Sequence, residues 1–78
     1  MEEFREKIRQ QLATKYKQDL REGRTTATEI TATIKQLESA LIKAKKTKHR
    51  VPVEGQPQMG NMNDIEIEDQ IAAFRRVL

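Results

Sequence analysis

Gly23 is the one glycine or proline among the first fifty residues, and it divides two runs that read as helices. From Glu2 to Glu22, Phe4, Ile8, Leu12, Tyr16 and Leu20 recur every four residues, the spacing of a single helical face. A strict four-residue step drifts around a helix, so this stripe is oblique, and Met1 and Ala13 widen it. Beyond Gly23, Thr26 and Glu29 have the spacing of a capping box, and Ile30, Ile34, Leu37, Leu41 and Ala44 follow at alternating steps of four and three. A glycine after a charged, helix-favouring segment supplies the left-handed residue that closes a helix. Only Arg24 and Thr25 remain between stop and start, so the chain is expected to turn back as an antiparallel helical hairpin with its two stripes facing.

The next stretch, residues 51–63, contains both prolines and the other two glycines, and it predicts a linker. Val51 and Val53 alternate with Pro52 and Glu54 in the manner of a short edge strand, but the composition favours plain extended chain. Met59 and Met62 within it are flexible apolar side chains for a partner to cover, or else simply exposed. Asp64 then opens a last helix, from about Ile65 to Leu78, with Ile67, Ile71, Phe74 and Leu78 on one side. Its acids stand near the start and Arg75 and Arg76 near the end, both suited to the helix dipole. The expected fold is all-α: a basic helical hairpin over 1–50, a linker over 51–63 and a short C-terminal helix over 64–78.

Seventy-eight residues with two Phe, one Tyr and no Trp make a small core. One hairpin of this composition is marginal alone, so self-association is expected, with Ile30, Ile34, Leu37, Leu41 and Ile42 as the oligomer interface. Ile67, Ile71, Phe74 and Leu78 would serve as a docking face for a protein partner. No cysteine is present, which excludes a disulfide scaffold or a thiolate metal site. No segment approaches a membrane span and the amino terminus lacks the apolar core of a signal peptide, so a soluble, unprocessed chain is expected.

The net charge of +3 conceals an uneven division. Residues 1–50 hold thirteen Lys or Arg against seven Asp or Glu, whereas residues 51–78 hold two against five. A basic body attracts polyanions, and an acidic tail can shield that surface when no polyanion is bound. The densest positive run is Lys43, Lys45, Lys46, Lys48, His49 and Arg50, which Arg24, Lys35, Arg21 and Lys17 could extend. Cations at a helix end also serve the dipole, so the run reads equally as a cap or as a phosphate contact. No aromatic residue interleaves it, which argues against stacking on single-stranded bases.

His49 among cations is a poor metal ligand. The cluster Asp64, Glu66, Glu68 and Asp69 lacks the glycine and twelve-residue spacing of an EF-hand loop, so neither a metal nor another cofactor is expected. No nucleophile with its base and no phosphate-cradling loop can be assembled, so a non-catalytic protein is expected.

Leu20, Gly23, Thr26, Ala27, Glu29, Ile30, Leu37 and Ile42 resemble the core pattern of the small terminase subunits, or DNA-maturase small subunits, of short-tailed double-stranded-DNA phages. In that pattern a helix ends at Leu-x-x-Gly, a Thr-Ala pair opens the next, and an acidic residue and aliphatics follow. The resemblance departs at Glu38-Ser39-Ala40-Leu41-Ile42, where this chain continues as helix into its lysines. It implies a ring-forming, non-catalytic subunit in the host cytoplasm that engages viral double-stranded DNA and presents it to the large terminase subunit. Two other readings of the residues stay open: a helical adaptor or regulator that binds a host or virion protein, and a virion structural protein.

Overall fold

The computed structural model describes residues 2–78 and has three helices, α1 (Glu2–Arg21), α2 (Ala27–Thr47) and α3 (Asp64–Val77). Met1, expected to widen the α1 stripe, lies outside the described residues. Among the described residues no helix is long and apolar enough to cross a membrane. The turn after α1 forms as the sequence predicts: Gly23 takes φ 78°, its N–H donates to Leu20 O at 3.3 Å, and Arg24 N–H donates to Asp19 O at 2.9 Å. Thr26 caps α2, its hydroxyl accepting from the Glu29 N–H at 3.1 Å.

The antiparallel hairpin is present, but its two arms are α2 and α3. Glu38 pairs with Arg75 at 2.7 Å, Lys45 with Glu68 at 3.9 Å and Arg50 with Glu66 at 2.8 Å, a ladder that runs in opposite directions along the two helices. Beside this ladder lies the core, where Ile30, Ile34, Leu37, Ala40 and Ala44 of α2 join Ile67, Ile71 and Phe74 of α3. Leu37 and Ile67 are fully buried. The expected facing of α1 and α2 is therefore corrected: α3 packs against both, and α1 scarcely meets α2. The reason lies in the stripes. The α2 seam of fours and threes fits a partner that runs antiparallel along its length. The α1 stripe drifts, and its first member, Phe4, is left 65 % exposed.

The connection between α2 and α3 is also more ordered than a plain linker. Lys48 adopts a left-handed conformation (φ 59°, ψ 28°) and its N–H donates to Ala44 O at 2.8 Å, which closes α2 and turns the chain. Strands β1 (Val51–Pro52) and β2 (Asn61–Met62) then pair antiparallel, Val51 opposite Met62 and Pro52 opposite Asn61. A 3-10 turn over Pro57–Met59 lies between them. Val53 and Met62 are buried in the core and Met59 packs against it, so the methionines are covered by their own chain. Composition suggested extended chain because prolines and glycines break helices; the same residues also shape a tight ladder when apolar side chains anchor it. Gly55 shows the closeness of this segment to α2. At φ 80° a Cβ there would stand 2.5 Å from Gln36 Nε2.

The cap of α3 lies one residue earlier than expected, at Asn63. Its side chain accepts from Glu66 N–H at 2.8 Å, and the Glu66 carboxylate accepts from Asn63 N–H at 3.1 Å, which completes a capping box.

Candidate nucleic-acid interface

The cationic residues gather at one pole because they follow one another through the last turns of α2 and its left-handed stop at Lys48, and helix periodicity spreads them around the axis there. Lys43, Lys45, Lys46, Lys48, His49 and Arg50 are all exposed. The stop is held locally: Thr47 Oγ1 donates to Lys43 O at 2.9 Å and accepts from His49 N–H at 3.3 Å. Two of the cations reach towards α3. Arg50 pairs with Glu66 and donates from Nε to Asn61 O at 3.2 Å, while Lys45 stands 3.9 Å from Glu68. Lys43, Lys46 and Lys48 form no ion pair among the described residues.

The acidic start of α3 thus sits beside the basic end of α2. Glu66 and Glu68 are 44 % and 43 % exposed at their side chains, so water screens both pairs and the bond to either cation is weak. A phosphate oxygen can replace either carboxylate at small cost. The pole is a surface with three free ammonium groups and two more cations on exchangeable tethers.

Arg24 does not belong to it. The guanidinium is bound to Asp19, at 2.7 Å, and to Glu22, and the Asp19 hydrogen bond holds its proton more firmly than in a free arginine. It also lies before the start of α2, whereas the lysines follow its last turns; twenty-one residues of helix separate them by roughly 30 Å.

The two apolar sets singled out in the sequence are largely corrected. Of the expected oligomer interface, Ile30, Ile34 and Leu37 are buried inside the chain and Leu41 packs against the same core, because α3 and the strand segment already cover the α2 seam. Ile42 alone is open, at 69 %. Of the expected docking face, Ile67, Ile71 and Phe74 are core residues, and Leu78 alone is exposed, at 60 %. The expectation treated a third helix as separate from the hairpin, and that helix is what fills the core.

A second charged constellation, at the contact of α1 with α3, was not foreseen. Asp69, 5 % exposed, accepts at Oδ1 from Arg9 Nε at 2.9 Å and from Arg5 Nη2 at 3.1 Å. Arg9 continues to Glu2 at 3.0 Å and Glu6 at 3.4 Å, and Glu6 pairs with Arg76 at 2.7 Å. The Arg76 hydrogen bond holds the Glu6 carboxyl below its ordinary value. Beside this network Tyr16 stacks on Phe74, with ring centroids 3.9 Å apart and planes 7° from parallel, and its hydroxyl donates to Gln70 Oε1. Burial pushes the Tyr16 phenol up to about 12. Three of the four acids of α3 hold separate partners: Asp69 turns to α1, Glu66 to the cap and Arg50, and Glu68 towards Lys45.

Comparison with protein families, curated proteins and solved structures finds no match to this chain.

Proposed function

We propose that the chain is a non-catalytic DNA-packaging subunit, of the small-terminase kind, which holds viral double-stranded DNA through the cationic pole of α2 and presents it to the large terminase motor in the host cytoplasm. The observation that carries this reading is the set of free ammonium groups on Lys43, Lys46 and Lys48, flanked by Lys45 and Arg50 on screened carboxylates. Such a surface engages phosphates and displaces counterions. It has no aromatic platform for unstacked bases, which favours a duplex.

Self-association in this reading falls to residues other than the buried seam. The Glu6–Arg76 pair brings the first turns of α1 to the last turn of α3, and the open side chains of Phe4 and Leu78 stand at that end. The cationic pole lies at the opposite end of α3. A ring formed through the Phe4 and Leu78 end would leave every cationic pole free, and repetition would turn weak contacts into firm collective binding.

Native mass measurement with and without a duplex tests both parts. The expected result is a multimer that takes up DNA, with affinity falling roughly 10²–10³-fold between 50 and 200 mM salt for about five neutralised phosphates per protomer. Exchange of Lys43, Lys46 and Lys48 for Glu should abolish uptake while the circular dichroism of the helices stays unchanged. A strict monomer that ignores duplex DNA in low salt overturns the reading. Stable capture of a protein partner by that monomer would then favour an adaptor.

A further inference from the structure

Packing of α3 and β1 on one side of α2 leaves the opposite side of this long helix uncovered. Thr28, Lys35, Ser39, Ile42 and Lys46 succeed one another there at helical spacing and all are exposed. Lys43 lies next to them. The strip holds three lysines and no carboxylate; Glu29 and Glu38 fall on its flanks, and Glu38 is engaged with Arg75 at 2.7 Å. Between its cations stand a small hydroxyl, Ser39, and one large apolar side chain, Ile42, 69 % open to water.

Dimensions and charge point to one kind of partner. From Thr28 to Lys46 the strip runs roughly 27 Å, and a helix with its side chains is about 10–12 Å across. The major groove of B-form DNA is about 12 Å wide, admits an α-helix, and is walled by phosphates on both sides. Small side chains let the backbone approach base edges, where a hydroxyl can donate or accept and an aliphatic group can meet the methyl of thymine.

We propose that the uncovered face of α2 enters the major groove of duplex DNA, with Lys35, Lys43 and Lys46 on the flanking phosphates and Ser39 and Ile42 at the base edges. The inference rests on the DNA-binding reading above and adds to it a groove, an orientation and a source of sequence preference. The cluster after Lys46 then grips the backbone where the helix leaves the groove.

The test uses the full chain and a 30-base-pair duplex in three forms: unmodified, carrying glucosylated hydroxymethylcytosine that fills the major groove, and unmodified with netropsin in the minor groove. Glucosylation is expected to weaken binding about tenfold or more, and netropsin to change it less than about twofold. Lys35→Ala should lower the salt slope by about one, whereas Ile42→Ala should leave the slope alone and flatten the preference among duplexes selected from a random pool. Equal affinity for plain and glucosylated duplex, with the loss caused by the Lys43, Lys46 and Lys48 exchanges intact, overturns the groove assignment and leaves the phosphate-binding reading standing. Absence of binding to every duplex in low salt overturns both.

Discussion

Helix α3 meets its two neighbours through different chemistry. Towards α2 it presents Ile67, Ile71 and Phe74 to a continuous apolar seam, and charges appear only along the edges. Towards α1 it presents Asp69, Gln70 and Arg76 beside the other face of Phe74, and the answering residues are Arg5, Arg9, Glu6 and Tyr16, whose ring stacks on Phe74. The α2 contact excludes water along a continuous apolar seam and is stabilised chiefly by that burial. The α1 contact adds to the stacked rings a set of particular donors meeting particular acceptors, which fixes geometry at a small net free energy for each bond. The small side chains of Ala13 and Ala73, both buried, suit the close approach that this polar contact needs.

The largest expected effect follows from the apolar contact. Leu37→Ala removes a side chain that is wholly buried between α2 and α3 and should cost about 3 kcal/mol. For a chain of this size that lowers Tm by roughly 15 °C or more, readable by thermal circular dichroism. Because the seam holds the whole molecule, all three helices should melt together. Survival of α2 and α3 at the wild-type Tm would break the comparison at its stronger side.

Asp69→Ala comes next and tests the other side. It leaves Arg5 and Arg9 without their shared acceptor in a half-buried place, for an expected loss of about 2 kcal/mol. The loss should be local. Amide exchange should quicken along α1, while the amides of α2 and α3 stay protected, and raised salt should add little further damage. Equal loosening of every helix would show that α1 is as much a part of the core as α2.

These two contacts were unequally legible. The seam on α2 and the matching residues of α3 could be read from periodicity, since burial of an apolar stripe imposes a spacing. What covers that stripe could not be read so. A short turn after Gly23 made α1 the nearest candidate, yet a turn of that length is also compatible with α1 swinging aside to Asp69. The ionic contact left no periodic trace, because Arg5, Arg9 and Glu6 look like any solvated helix face until a buried acid is placed against them. The Lys43 to Arg50 cluster was visible as composition; that Glu66 and Glu68 would stand beside it required the α2–α3 pairing. The uncovered strip through Lys35, Ser39 and Ile42 was likewise hidden until the covered side of α2 was known.

Alkaline pH offers a titration on the α1 side that substitution of one tyrosine isolates. A tyrosine in an unfolded chain ionises near 10.0, whereas Tyr16 in the fold is pushed up to about 12, chiefly by burial against α3. Below pH 10 both forms are neutral and the contribution to stability is complete. Between 10 and 12 only the unfolded chain releases the proton, so stability falls with rising pH, by roughly 2 kcal/mol across the window. Urea unfolding at pH 9, 10.5 and 12 measures it, and Tyr16→Phe should remove this component of the slope. A slope unchanged by that substitution would place the alkaline sensitivity elsewhere.

The smallest effect concerns the charges on the α2 side of α3. Glu66 has two roles there: its carboxylate closes the capping box on Asn63 and pairs with Arg50 at 2.8 Å. Glu66→Gln keeps a side chain able to serve the box and removes the ion pair and one charge at the helix start, both screened by water. Stability should therefore change by less than about 0.5 kcal/mol. If the apolar seam is what holds these two helices, a larger loss has no source, and a loss near that of Asp69→Ala would erase the distinction between the two contacts. The same substitution frees Arg50 for phosphate, so duplex affinity should rise severalfold in low salt and the salt slope steepen. A change that is nearly silent in the fold and positive in binding is what an exchangeable tether requires of the acid that holds it.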